Sequence, residues 1–285
     1  MVPPFFMRTL HAGSFRLSLA RPLIMGIVNT TPDSFSDGGT LTSAQQAIEY
    51  GFQLAHLGAT ILDIGGESTR PGAALVTLEE EQRRVVPVIR ALAESGLVVS
   101  VDTRKPAVMR AALDAGAVMV NDVMALQAPG ALDVLAASQA AVCLMHMQGE
   151  PQTMQQTPHY ADVVSEVAQF LRERVDVCLG AGIGPDRIVI DPGFGFGKAL
   201  EHNLALLKNL ARLSVWEVPL LVGMSRKFML GALTGRAIGE REFAGVAAHV
   251  LALTQGARLL RVHDVAAMRD ALAVWNAVED TEHGT

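Results

Sequence analysis

Eight short apolar runs punctuate the chain, at residues 23–28, 60–64, 97–101, 117–120, 140–145, 187–190, 219–223 and 257–262. Most carry no polar alternation, the pattern of parallel strands covered on both faces. Each is followed by a stretch of helical periodicity, near 43–57, 77–93, 106–114, 130–138, 161–179, 200–210, 241–255 and 264–278. In the first helix Ala44, Ala47, Ile48, Phe52, Leu54 and Ala55 form an apolar face. In the second, Thr77 and Glu80 make a capping box ahead of a stripe of Val85, Val86, Val88, Ile89 and Leu92. Eight strand–helix units in about 260 residues match a (β/α)8 TIM barrel. A doubly wound open sheet is the alternative. It is weakened because no GxGxxG turn follows the first strand, and the GFGFG at 193–197 follows the sixth strand with unsuitable spacing.

Residues 5–20 read as a short β-hairpin, since Phe15, Leu17 and Leu19 alternate and Ala12-Gly13-Ser14 makes a turn. The first 20 residues are therefore expected to close the bottom of the barrel, its N-terminal end. No linker, repeat or low-complexity tract interrupts the pattern, so residues 1–285 are expected to form a single domain, with a frayed tail at 279–285.

At 285 residues and 50% apolar, the chain can bury a barrel-sized core. Its net charge of −6 and lack of a basic run argue against nucleic acid and against an anionic membrane surface. No apolar run reaches the roughly 18 residues of a membrane span, and Pro3, Pro4, Arg8 and His11 break up any signal sequence. Cys143 and Cys178 lie in apolar surroundings and read as reduced core residues of a cytoplasmic protein.

In such a barrel, ligands bind beyond the C-terminal ends of the strands. Polar residues gather there. The first strand ends at Asn29, the second runs through Asp63 into GGESTRPGA, and the third and fourth end at Asp102 and at Asn121 and Asp122. The fifth leads to His146 and Gln148, the sixth to Asp191 and PGFGFGK, the seventh to Ser225, Arg226 and Lys227, and the eighth to Arg261 and His263. Any one of these caps a backbone group as readily as it binds a ligand, and Asp122 and Asp264 fit that plainer role. The set at one end of one barrel does not. Asp102, Asn121 and Asp191 are compact acceptors suited to the N–H edge of a flat heterocycle such as an aminopyrimidinone. Arg261 and His263 stand two residues apart on one strand face and, with Asn29, suit an anion such as phosphate. The loops at 30–39 and 66–73 are rich in Gly and Pro and read as lids.

The segments GIVNTTPDSFSDGG, DIGGESTRPGA, SVDT, IDPGFGFGK, GMSRK and RVHDV stand in the order of the dihydropteroate synthase family of the folate pathway, which the chain resembles from about residue 22 to 278. The resemblance implies that the amine of p-aminobenzoate attacks the methylene of 6-hydroxymethyl-7,8-dihydropterin diphosphate. Pyrophosphate leaves, and 7,8-dihydropteroate forms through a pterin-methyl cation. It assigns Asp102, Asn121, Asp191 and Lys227 to the pterin, and Asn29, Thr69, Arg70, Arg261 and His263 to the diphosphate, with Mg2+ held near Asn29. It places Phe35, Thr69, Pro71, Ser225 and Arg226 around p-aminobenzoate and makes Lys227, Asp102, Asp191, Arg261 and His263 the catalytic set. It also implies a homodimer and a sulfonamide target. One departure is Met124, where relatives often carry arginine. A corrinoid-linked pterin methyltransferase, a Schiff-base lyase using Lys227 and a non-catalytic pterin-binding paralogue are the alternatives. The first has no use for the STRPG loop or the Arg261–His263 clamp.

Overall fold

The computed structural model describes residues 9–30, 43–68, 75–150, 153–213 and 217–281. It begins with an antiparallel hairpin, β1 (Thr9–Ala12) and β2 (Phe15–Ser18). Eight strands follow: β3 (Leu23–Asn29), β4 (Ile61–Gly65), β5 (Val98–Asp102), β6 (Met119–Asp122), β7 (Ala141–Met145), β8 (Ile188–Asp191), β9 (Leu220–Val222) and β10 (Ala257–Val262). They close in sequence order, with β10 pairing back onto β3, and every neighbouring pair is parallel. The helices between them are α1 (Ser43–Leu57), α2 (Leu78–Glu94), α3 (Pro106–Asp114), α4 (Ala131–Ala136), α5 (Val163–Gly180), α6 (Leu200–Lys208), α7 (Phe228–Thr234), α8 (Glu242–Thr254) and α9 (Val265–Thr281). The fold is the expected (β/α)8 barrel.

Two features depart from the sequence reading. Helix α7 is an addition between β9 and α8; its seven residues, with Gly231 among them, are too few to set up a periodicity. Helix α9 runs through Thr281, so the first part of the expected tail is helical. The capping box of α2 is also half made. Thr77 Oγ1 accepts from the Glu80 amide at 3.3 Å, but the Glu80 carboxylate turns to Arg83 and Arg84, each at 2.7 Å.

The absence of alternation in the strands has a direct cause. Outward residues such as Val28, Ile64, Val101, Val142, Ile190 and Val262 pack with the apolar stripes of the helices, including Val85, Val88, Ile89 and Leu92 of α2. Inward residues at the bottom are apolar too. Met25, Ile61, Val98, Met119, Ala141, Cys143, Val189, Leu221 and Leu259 sample all eight strands, and they form one cluster with Leu10, Ala12, Leu17 and Leu19 of the hairpin segment. The hairpin thus seals the barrel floor. Its turn requires glycine, because Gly13 sits at φ +57° and a Cβ there would meet Val118 Cγ1 at 2.8 Å.

Side chains on one strand face recur every second residue. Stepping up from the floor, the inward positions become Asn29 on β3, Asp63 and Gly65 on β4, Ser100 and Asp102 on β5, Asn121 on β6, Asp191 on β8 and Arg261 on β10. The interior therefore changes from hydrocarbon to polar along its axis, and the polar end is the C-terminal one.

Candidate active site

The centre of the polar end is an ion-pair network. Asp63, fully buried, accepts through Oδ2 from Asn121 Nδ2 at 2.9 Å and from Arg261 Nε at 2.7 Å. Arg261 Nη2 donates to Asp102 Oδ2 at 2.7 Å. Burial raises the Asp102 carboxyl above the usual range, and the Arg261 charge opposes that shift. For Arg261, burial works against the charge, but Asp63 and Asp102 outweigh it and the guanidinium stays protonated. Arg261 was grouped above with His263 and Asn29. Here it instead joins Asp102, read as part of the heterocycle edge, and Asp63. Asp63 Oδ1 and Ser100 Oγ, register neighbours on β4 and β5, are buried without a hydrogen-bond partner.

Asp191 is buried at the end of β8, where its Oδ1 accepts from the Gly193 amide at 2.7 Å. Burial raises its carboxyl. Lys227 donates to the Phe194 carbonyl at 2.5 Å, and its ammonium lies 4.0 Å from the Phe196 ring centroid. Burial lowers Lys227 to about 7, against the pull of Asp191.

Arg226 adopts a left-handed backbone, φ +60°, and its Nη2 meets Asp264 Oδ1 at 2.6 Å. Asp264 thus does more than precede a helix, and Arg226 is anchored beside α9. Ser225 Oγ lies 3.1 Å from His263 Nδ1. Asp122 keeps the plain role expected of it, accepting from the amides of Met124 and Leu126, each at 2.8 Å. At Gly65 an added Cβ would lie in ordinary contact, 3.8 Å from both Asn29 Oδ1 and Asp102 Oδ2, so those two oxygens flank the glycine.

The chain entering and leaving the second loop is clasped. Glu67 Oε1 accepts from the Val76 amide at 2.9 Å. Lys105 Nζ donates to the Val76 carbonyl at 2.6 Å and to Glu81 Oε2 at 2.6 Å, and it lies 3.3 Å from Glu67 Oε1. Phe35, Thr69, Arg70 and Pro71 lie outside the described residues.

Two site residues had no role in the sequence reading. Asp63 was visible only as a strand-end carboxylate. Lys198 closes the PGFGFGK motif and is buried against His146 and two loop carbonyls; a lysine in an otherwise apolar, glycine-rich run was the available signal. Among the described residues, no group of three or more His, Cys, Asp or Glu side chains is arranged to hold a metal.

The family of pterin binding enzymes matches residues 25–263. A dihydropteroate synthase of Escherichia coli (strain K12) is 49% identical over 269 residues, covering 94% of this chain and 95% of the relative. One from Neisseria meningitidis serogroup B is 51% identical over 275 residues, covering 94% and 96%. Among solved structures, Xanthomonas albilineans dihydropteroate synthase with 4-aminobenzoic acid is 55% identical and superposes with a TM-score of 0.91 over 96% of this chain and 99% of its own. The same enzyme in complex with 7,8-dihydropteroate is 53% identical, with a TM-score of 0.87 over 95% and 98%. Yersinia pestis dihydropteroate synthase with a sulfonamide drug complex is 47% identical, with a TM-score of 0.90 over 95% and 99%.

Proposed function

The chain belongs to the dihydropteroate synthase family of pterin-binding enzymes, and on that footing we propose how its barrel mouth carries out the reaction. The protein is a transferase. It condenses 6-hydroxymethyl-7,8-dihydropterin diphosphate with p-aminobenzoate: the amine nitrogen bonds to the pterin methylene, the methylene C–O bond breaks, and 7,8-dihydropteroate and pyrophosphate form.

The observation that carries the residue roles is the placement of Asp102, Asn121 and Asp191 on inward strand ends above a sealed apolar floor. In this reading they accept and donate along the pterin edge, where carboxylate acceptors match ring N–H donors. Lys227 binds the oxygen-bearing side of the ring as a donor and charge. It makes no covalent bond, because the substrate has no aldehyde or ketone for an amine to condense with. Arg261 releases Asp102 when the pterin enters and turns with His263 towards the diphosphate, joined by Asn29, Thr69 and Arg70. Phe35, Thr69, Pro71, Ser225 and Arg226 surround p-aminobenzoate. Fixed charges that stabilise a departing diphosphate and a developing pterin-methyl cation remove the need for a side-chain nucleophile.

The donors present suit Mg2+. Asn29 offers a hard neutral oxygen that, with Asp102 Oδ2, flanks Gly65, and magnesium ordinarily takes few protein ligands while keeping substrate oxygens and water. Bound there, it supplies charge neutralisation to the diphosphate.

The whole chain, residues 1–285, works as one domain in a homodimer. The dimer is supported by Phe228, Leu233, Ile238, Phe243 and Leu251 of α7, α8 and the turn between them. All stand exposed, Phe243 by 83% and Phe228 by 77%. A cytoplasmic site is supported by two buried free cysteines. Among the described residues, no helix is long and apolar enough to cross a membrane.

The test is pyrophosphate release measured with each substrate alone and with both. Release that requires both is expected. Steady-state release that does not depend on p-aminobenzoate, or none with the pair, overturns the assignment.

A further inference from the structure

The PGFGFGK segment, residues 192–198, is held unusually close to the chain beside it. Gly193, Gly195 and Gly197 have φ of +68°, +77° and +62°. A Cβ on Gly193 would collide with the His146 carbonyl oxygen, and one on Gly197 with that of Gln148. The loop therefore lies directly on the backbone that follows β7, with its carbonyls turned inward, where each needs a donor.

Lys227 reaches the Phe194 carbonyl, Tyr160 that of Gly197 and Gln155 that of Gly195, while those of Gly193 and Phe196 are met by Lys198. Its Nζ reaches the Gly193 carbonyl at 3.0 Å, the Phe196 carbonyl at 2.9 Å and His146 Nδ1 at 2.9 Å. The His146 carbonyl lies 3.4 Å away as well, so four acceptors surround one nitrogen, which burial pulls well below the ordinary lysine value. Burial holds His146 neutral, down to about 2, so that Nδ1 can accept. The ring is itself packed edge-on against Phe170, centroids 4.9 Å apart. Asn203 completes the fastening: Oδ1 accepts from the Gly195 amide at 2.7 Å, and Nδ2 donates to the Lys198 carbonyl at 3.1 Å.

The other side of the same loop faces the site. Its Gly193 amide holds Asp191 Oδ1, its Phe194 carbonyl receives the Lys227 ammonium, and its Phe196 ring lies beneath that ammonium. We propose that Lys198 is a positioning residue. By gathering His146 and the loop carbonyls it fixes Gly193, Phe194 and Phe196, and through them Lys227 and Asp191, without touching substrate. This rests on the reading that Lys227 and Asp191 bind the pterin.

The test uses the full-length enzyme with 6-hydroxymethylpterin as calorimetric probe, together with steady-state KM for both substrates. Lys198→Met is expected to weaken pterin binding by about tenfold to a hundredfold, the loss typical when an outer hydrogen-bonding partner is removed. The KM for p-aminobenzoate is expected to stay at the wild-type value, a split that general destabilisation does not produce. Because Lys198 acts through Lys227, the Lys198→Met, Lys227→Met double variant should bind no more weakly than Lys227→Met alone. Should Lys198→Met fail to fold, His146→Leu is expected to show the same pterin-selective loss. His146→Asn, which puts an amide oxygen in place of Nδ1, is expected to bind as wild type. Wild-type pterin affinity in Lys198→Met or His146→Leu, an equal rise in both KM values, or additive losses in the double variant overturns the proposal. Unchanged affinity in Lys227→Met overturns the pterin-site reading, and the positioning role falls with it.

Discussion

Replacing Asp191 with asparagine separates what this residue does for the ligand from what it does for the fold. One of its oxygens is committed to the Gly193 amide at 2.7 Å. The asparagine carbonyl can keep that bond, which leaves an NH2 group where the second oxygen was, pointing a donor at the N–H donors of the pterin. The loss has two parts. A charge-assisted hydrogen bond is worth about 1.5–3 kcal/mol, and a buried donor without an acceptor costs about 1–3 kcal/mol. Together they come to about 2.5–6 kcal/mol, or roughly seventyfold to some twenty-thousandfold in affinity. Stability should move the other way. Burial raises the Asp191 carboxyl in the folded state. A group whose folded value is raised contributes stability that is present below its unfolded value, near pH 4, and lost as the pH climbs through the folded value. Above that unfolded value the buried carboxyl is therefore a cost that asparagine lacks. Asp191→Asn should bind 6-hydroxymethylpterin far more weakly by calorimetry, yet unfold in urea at an equal or higher midpoint at pH 7, with the advantage fading below about pH 4. The reasoning fails if the variant keeps wild-type affinity, or if it loses stability along with affinity.

Burial lowers Lys227 to about 7 in the folded state, while the unfolded chain holds that proton to about pH 10; its contribution to stability is thus present above about 10, declines as the pH falls and is fully lost below about 7. Urea midpoints at pH 6, 7.5 and 9 should show Lys227→Met gaining most over wild type at pH 6, and a gain that grows with pH contradicts the assignment. Phe243 is exposed by 83% on α8, and Phe243→Asp should convert the protein from dimer to monomer by light scattering while leaving the folded barrel intact; a dimer of unchanged affinity places the interface elsewhere.

The barrel was legible because its strands are buried on both faces and read as continuous apolar runs. Apolarity alone does not reach the strand ends, which were read from the polar residues that follow. The runs at 23–28, 97–101, 117–120 and 187–190 stop short of β3, β5, β6 and β8, which continue to Asn29, Asp102, Asp122 and Asp191. Hydropathy falls away at those ends while backbone pairing does not, so apolarity marks the wall of the barrel and loses its rim. Single polar residues at the rim were visible, but their pairings were not. Asp63 and Arg261 are separated by 198 positions, and no local pattern links them. Asp264 looked like a helix-start residue because its partner, Arg226, comes from another strand end. Lys198 was hidden inside a motif whose glycines drew the attention, and its role depends on carbonyls that a sequence does not display.

The two ways in which the mouth loops are fastened imply different tolerance to evolutionary change. The segment from Glu67 to Val76 is tied where it begins and ends. Lengthening a chain between fixed ends is cheap, since doubling its length costs only about 0.6 kcal/mol in closure entropy. Insertions there leave the barrel free to fold. The segment from Gly193 to Gly197 has no such latitude, because a single methyl group at either residue strikes backbone. Insertions among natural variants are therefore expected between residues 67 and 76 and not within 193–197.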